Sequence, residues 1–140
     1  MAGKTLQKIY CWRLTIEKLN VFLASTDNGA RRIWLSLGKP EKPFDFIKKS
    51  FPHAVLTIDE KANSRLIESV RACLENSFVP TPPLDVAFTP FQKRVYNTIS
   101  KIPFGETRQY KEIASKSGTP GGARAVGQAM KRNPFPLIFP

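Results

Sequence analysis

The sequence predicts a small α/β domain with an antiparallel sheet, followed by a mostly helical second domain. Three observations carry this. Beta-favouring runs meet at the turn-forming Asp27-Asn28-Gly29, a three-to-four-residue apolar period starts after Asn63, and Pro80, Pro82 and Pro83 separate that helix from a more basic, helix-like stretch. At 140 residues the chain has room for one domain or two very small ones, and a boundary between 85 and 86 divides it.

In residues 1–85 the first elements are two apolar-rich stretches, Gln7–Leu14 and Asn20–Ala24, followed by Ile33-Trp34-Leu35-Ser36-Leu37. Asn and Gly tolerate the left-handed angles of a tight turn, so Asp27-Asn28-Gly29 reads as a hairpin. Trp12 and Trp34 fall in these stretches and read as core. Lys39 to Pro52 shows no clear period, and Ala54–Ile58 reads as a further short strand. Asn63 is the expected cap of a helix from Ser64 to about Asn76, with Leu66, Ile67, Val70, Cys73 and Leu74 on its buried face. The prolines that follow cannot continue it, because proline lacks the donor and clashes with the preceding turn.

In residues 86–140 the helices are well punctuated. Thr89-Pro90-Phe91-Gln92 combines a capping hydroxyl, a proline at the first helical position and a glutamine three residues after the cap. A helix from 90 to about 101 follows, with Phe91, Val95, Ile99 and Ile102 at successive turns, and Pro103-Phe104-Gly105 breaks it. A short helix over about 109–117 would bury Tyr110, Ile113 and Ala114. After the three-residue turn Gly118-Thr119-Pro120, a third helix over about 120–131 would pack Ala123, Val126, Gly127 and Met130 and project Arg124, Gln128 and Lys131 outward. Two short helices joined this way, the second basic, have the pattern of a helix-turn-helix, which other small helical hairpins share. Leu137-Ile138-Phe139 reads as an apolar, strand-like segment.

The charge is uneven. Overall, 22 Lys and Arg face 11 Asp and Glu, a formal +11 with a pI near 10.0. Residues 86–140 hold nine Lys and Arg against Glu106 and Glu112, a net +7, while residues 1–85 hold thirteen against nine. Such an excess concentrates polyanions and favours nucleic acid as partner, with an acidic membrane surface as the rival. No apolar window is long enough to span a bilayer and the start MAGKTLQK lacks a secretory signal, so the cytoplasm is the expected location, or the nucleus in a nucleated cell. Cys11 and Cys73 lie 62 positions apart, and the single His53 has no cluster around it. Neither a zinc site nor a disulfide scaffold is signalled.

Four blocks carry a more specific resemblance: Phe91-Gln92-Lys93-Arg94-Val95-Tyr96; Ile102-Pro103-Phe104-Gly105-Glu106-Thr107 with Tyr110; Arg124-Ala125-Val126-Gly127-Gln128-Ala129-Met130; and Asn133-Pro134-Phe135-Pro136-Leu137-Ile138-Phe139-Pro140. In this order and spacing they resemble the DNA alkyltransferases that repair 6-O-alkylguanine, the methylated-DNA--protein-cysteine methyltransferases. The resemblance is strong over 86–140. Over 1–85 the hairpin and helix fit the ribonuclease-H-like α/β domain that precedes the active, winged-helix-like domain in that family.

The resemblance implies a monomer that binds double-stranded DNA, extrudes an alkylated guanine and takes the alkyl group onto a cysteine thiolate, once per molecule, with no cofactor and no metal. It assigns Arg124 to the place vacated in the base stack, Ala123 and Gly127 to close approach to the sugars, and Tyr110 to the phosphate of the flipped nucleotide. Gln128, Lys131, Arg132 and Arg108 fall to the DNA-facing side, Met130 and Pro136 to the alkylguanine pocket, and Asn133 to bracing the turn after the third helix. Plain packing also fits Gly127, Met130 and Tyr110, and solvated charge fits Lys131, Arg132, Arg108 and Lys93. In the family a cysteine, a histidine and an arginine follow the proline that matches Pro140, so the acceptor is expected immediately after Pro140. Cys11 and Cys73 lie outside the motif, and the 140-residue chain is expected to be inactive in transfer. A fragment or truncated reading frame is the first expectation. A non-catalytic relative that binds and flips alkylated bases to signal other repair is the second. An unrelated winged-helix regulator would not need the run from Asn133 to Pro140.

Overall fold

The computed structural model describes residues 6–39, 44–75, 81–102 and 106–139. The expected linker proline Pro80, the helix end at Asn76, the break at Pro103-Phe104-Gly105, and Pro140 lie outside the described residues. The chain divides into two compact units, Met1–Val86 and Ala87–Pro140.

The first unit is built on strands β1 (Lys8–Ile16), β2 (Leu19–Thr26), β3 (Gly29–Leu37) and β4 (Val55–Ile58), in sheet order β3-β2-β1-β4. Asp27 and Asn28 connect β2 to β3 as the hairpin expected there. Strict alternation sorts the side chains. Ile9, Cys11, Phe22 and Ala24 share one face and form a core with Ile47 and the half-buried Trp34, Phe44 and Phe51. Leu14, Val21, Leu23 and Ile33, of the opposite parity, are buried on the other face. Trp34 packs against this core while half-buried, as expected of it, and Trp12 is half-buried as well.

Several expectations for this unit need correction. The sheet is mixed, because β4 pairs parallel with β1, Lys8 opposite Val55 and Cys11 opposite Ile58. The chain reaches that edge through a crossover containing a helix that sequence periodicity did not show, α1 (Asp45–Ser50). With only Ile47 buried, α1 is too short to display a period, and an Asp45–Lys49 ion pair of 3.0 Å spans its single turn. Finally, Asn63 precedes α2 (Ser64–Leu74) but does not cap it. Its amide nitrogen donates to the carbonyls of Tyr10 (3.1 Å) and Asp59 (2.9 Å). A 3-10 turn, Lys61–Asn63, already leads into α2, and Asp59, two residues before it, accepts the Ala62 N–H at 2.9 Å. Leu66, Ile67 and Val70 are buried as expected, but Cys73 is only half-buried and Leu74 exposed.

The segment read as a linker is pinned to the sheet. Ala30 N–H donates to the Pro83 carbonyl (2.8 Å), Asp85 N–H to the Ala30 carbonyl (2.7 Å), and the Thr26 hydroxyl to the Asp85 carboxylate (2.6 Å). Gly29 lies beneath it with φ +141°.

The second unit consists of α3 (Pro90–Ser100), α4 (Tyr110–Lys116) and α5 (Ala123–Lys131). The capping box is present: Thr89 Oγ1 accepts the Gln92 N–H at 3.1 Å, and Gln92 Oε1 accepts the Thr89 N–H at 3.0 Å. Val95, Tyr96 and Ile99 are its buried residues, with Phe91 and Ile102 half-buried. The connection between α4 and α5 runs from 117 to 122, longer than expected, and α5 starts three residues later than expected. Its first half is a Schellman closure of α4: Gly118 has φ +83°, Thr119 N–H reaches the Ala114 carbonyl (2.9 Å) and Gly118 N–H the Ser115 carbonyl (3.1 Å). A second left-handed glycine, Gly121 with φ +82°, then redirects the chain into α5. Leu137–Phe139 is not a strand. Pro136–Ile138 forms a turn in which Ile138 and Phe139 N–H both donate to the Phe135 carbonyl, at 3.1 and 2.9 Å. Its phenylalanines fold inward, and Phe135 and Phe139 are buried.

Candidate nucleic-acid interface

Helix α5 divides by burial. Val126 and Ala129 are buried, Ala123, Gly127 and Met130 half-buried, and Arg124, Gln128 and Lys131 exposed, as is Arg132 just beyond. Positions 124, 128, 131 and 132 share one helical face. Among the described residues none of these four side chains has an ion-pair or hydrogen-bond partner.

Two predicted site residues meet. Tyr110, at the start of α4, is 49% exposed rather than buried, because it sits at the helix terminus beside a residue without a side chain. A Cβ on Gly127 would stand 3.4–3.5 Å from its ring. That is ordinary contact distance, so Gly127→Ala should fit, and removing a mid-helix glycine should raise the stability of this unit by about 0.5–1 kcal/mol in a thermal melt.

Arg108 stands differently from the α5 cations. Its guanidinium lies 3.0 Å from Glu106 and 3.8 Å from Glu112, and Glu112 also meets Lys116 at 3.4 Å. Its charge is locally compensated. Lys93 is exposed on α3.

After α5, Asn133 ties the next segment together. Its Oδ1 accepts the Phe135 N–H at 2.9 Å and its Nδ2 donates to the Phe139 carbonyl. Met130 and Pro136 are both half-buried. Sequence reasoning missed the aromatic group of the same unit: Tyr96 stacks on Phe139 with centroids 5.0 Å apart and rings 11° from parallel, and Phe88 meets Tyr96 edge-on at 4.9 Å. A stripe of Gln92, Val95, Tyr96 and Ile99, at intervals of three and four, could have indicated it.

Neither cysteine lies in this unit. Cys11 is buried in β1, and burial pushes its thiol up to about 11; burial raises that of the half-buried Cys73 as well. A raised pKa suppresses the thiolate, so neither is disposed to act as a nucleophile at neutral pH. Among the described residues no group of His, Cys, Asp and Glu could hold a metal ion, and no helix is long and apolar enough to cross a membrane.

The first unit is thus a mixed four-stranded sheet with helices, and the second a helical unit whose last helix carries an exposed cationic face. Residues 90–140 match the family of the 6-O-methylguanine DNA methyltransferase DNA binding domain. The inducible methylated-DNA--protein-cysteine methyltransferase of Bacillus subtilis is 32% identical over 134 residues, covering 94% of this chain and 74% of that protein. The chain therefore belongs to the methylated-DNA--protein-cysteine methyltransferase family. The Mycobacterium leprae methyltransferase is 54% identical over 57 residues, but the match spans only 34% of that protein. The crystal structure of the Mycobacterium tuberculosis O6-methylguanine methyltransferase superposes with a TM-score of 0.70 at 29% identity, over 94% of this chain and 75% of that one, and a structure from the same organism is a complex with DNA. The Pyrococcus kodakaraensis methyltransferase, 20% identical with a TM-score of 0.67, shares the fold.

Proposed function

We propose that this chain carries the lesion-recognition part of a DNA-repair alkyltransferase. Helices α4 and α5 act as a helix-turn-helix of a winged-helix-like domain, the first unit being its ribonuclease-H-like companion, and α5 docks against duplex DNA in the minor groove. The uncompensated cationic face of α5, beside the exposed Tyr110, carries this reading. Lys131 and Arg132 meet phosphates. Arg124 occupies the position left by the extruded nucleotide and hydrogen-bonds the orphaned base, Gln128 lies along the same face, and Ala123 and Gly127 allow close approach to the sugars. Tyr110 crowds the phosphate of the flipped nucleotide, and Met130 and Pro136 wall the pocket. Arg108, held between two carboxylates, contributes least. The protein acts as a monomer on 6-O-alkylguanine in double-stranded DNA.

In this reading the alkyl acceptor is a cysteine following Pro140, not Cys11 or Cys73. Its thiolate sulfur attacks the alkyl carbon, the sulfur–carbon bond forms as the carbon–oxygen bond breaks, and the electron pair returns to the guanine, which takes up a proton. The thioether has no resident group to cleave it, so each molecule turns over once.

The test compares affinities of the wild type, Arg124→Ala and Lys93→Ala for intact and 6-O-methylguanine duplexes at several salt concentrations, after checking helical content. Each lost phosphate contact should reduce the magnitude of the salt slope by about one. Arg124→Ala should lose roughly tenfold more affinity on lesion DNA than on intact DNA, because an unpaired base left in the stack keeps unsatisfied polar edges. Lys93→Ala should lose little on either. Equal losses for both variants on both duplexes would reduce Arg124 to one more phosphate contact. Gly127→Ala should weaken DNA binding while it stabilises the fold, the signature of a glycine kept for close approach.

A further inference from the structure

The last carbonyls of an α-helix have no intrahelical donor and need one from elsewhere. At the end of α5, Arg132 N–H goes to the Gln128 carbonyl (3.1 Å). Asn133 N–H, which a continuing α-helix would give to Ala129, goes instead to Met130 (3.2 Å). The carbonyl of buried Ala129 is thereby passed over by the main chain, and the hydroxyl of Tyr96, on α3, donates to it at 2.6 Å.

Tyr96 is 2% exposed, and its ring lies stacked on Phe139, whose carbonyl is held by Asn133. One side chain thus touches the last turn of α5 and the end of the segment that follows it. Phenylalanine would keep the stack but leave a buried carbonyl without a donor, and a buried unpaired acceptor is more expensive than the hydrogen bond itself is favourable.

We infer that Tyr96 is a positioning residue for the DNA-facing end of α5: its hydroxyl caps the helix at Ala129 and so fixes where Lys131 and Arg132 stand. This rests on the DNA-binding reading given above. The hydroxyl acts through geometry and touches no DNA.

The test uses the whole chain with Tyr96→Phe, read in two ways. Amide exchange separates local from global effects: the amides of Arg132 and Asn133 should exchange at least about tenfold faster in the variant, with the Val126 amide unchanged. Affinity for duplex DNA is then measured in a mutant cycle. Tyr96→Phe should weaken binding about fivefold and lower the magnitude of the salt slope. It should add less than about twofold to Lys131→Ala, yet exert its full factor in Arg124→Ala, at the other end of the helix. A general loss of stability would instead multiply through every variant equally. Uniform acceleration of exchange, unchanged exchange at Arg132 and Asn133, or full additivity with Lys131→Ala overturns the inference. If Lys131→Ala and Arg132→Ala leave DNA affinity untouched, it is the DNA-facing assignment of this end that fails, and the exchange data still decide the cap.

Discussion

Replacing Gly29 with alanine should destabilise the first unit by about 3 kcal/mol or more, through two separate penalties of roughly 1–3 kcal/mol each. The first is backbone strain, since φ +141° is a conformation that L side chains rarely adopt. The second is steric. A Cβ at Gly29 would stand 2.5 Å from the Pro83 carbonyl oxygen and 2.7 Å from its carbon. Those are main-chain atoms fixed by the hydrogen bond from Ala30, so relief requires displacing residues 83–85 and losing their bonds to β3. Gly38→Ala is the control: its φ is +80°, but nothing lies within 4 Å of the added carbon, leaving strain alone, about 1–2 kcal/mol. Both tryptophans, Trp12 and Trp34, lie in this unit, so their fluorescence during urea unfolding reports on it. With a slope of about 1–3 kcal/mol per molar urea, the midpoint should fall by about 1 M or more for Gly29→Ala and clearly less for Gly38→Ala. Equal shifts would show that the contact with Pro83 contributes nothing.

The same glycine marks the limit of what could be read from sequence. Asp27-Asn28-Gly29 announced a tight turn because the signal is local, but the second reason for the glycine is a chain segment more than fifty residues away. The capping box at Thr89 and Gln92 was legible for the same reason as the hairpin: every atom involved lies within four residues. The direction of β4 was not legible, since a four-residue strand has the same pattern parallel or antiparallel. Asn63 shows a local signal overridden, its amide being drawn to the Tyr10 carbonyl across 53 residues.

The candidate interface divides similarly. Arg124, Gln128 and Lys131 were placed outward by helical period alone, and they are exposed. For Arg108 the sequence leaves phosphate contact and solvated charge both open, and its pairing with Glu106 and Glu112 is one that the spacing permits but does not require. Leu137–Phe139 looked like a strand because three apolar residues have no period to distinguish strand from turn. Asn133 and the inward-folding phenylalanines settle it as a turn.

Asn133 offers the sharpest perturbation of that turn, because its two bonds use opposite polarities. Its oxygen accepts from Phe135 N–H and its nitrogen donates to the Phe139 carbonyl. Asn133→Ala removes both, at about 1–2 kcal/mol, whereas Asn133→Asp keeps the acceptor and replaces the donor with an anionic oxygen facing a carbonyl oxygen. Counting lost bonds makes aspartate the milder change. Electrostatics makes it the harsher one, at about 2–3 kcal/mol at neutral pH, since two acceptors are forced together with no proton between them. Protonation reverses this, because a neutral carboxyl can donate to Phe139. The new carboxyl's pKa should therefore lie above its unfolded value of about 3.9. A group whose pKa is raised on folding contributes stability below the unfolded pKa and loses it as the pH rises through the folded one. Asn133→Asp should accordingly gain stability relative to Asn133→Ala as the pH falls from neutral toward about 4. The difference between the two variants isolates this group, because every other carboxylate titrates in both. Exchange of the Ile138 and Phe139 amides, which close the turn on the Phe135 carbonyl, is the local readout. Aspartate tolerated as well as asparagine at neutral pH, or a gap from alanine that does not move with pH, would mean that the donor half of Asn133 does not hold the turn.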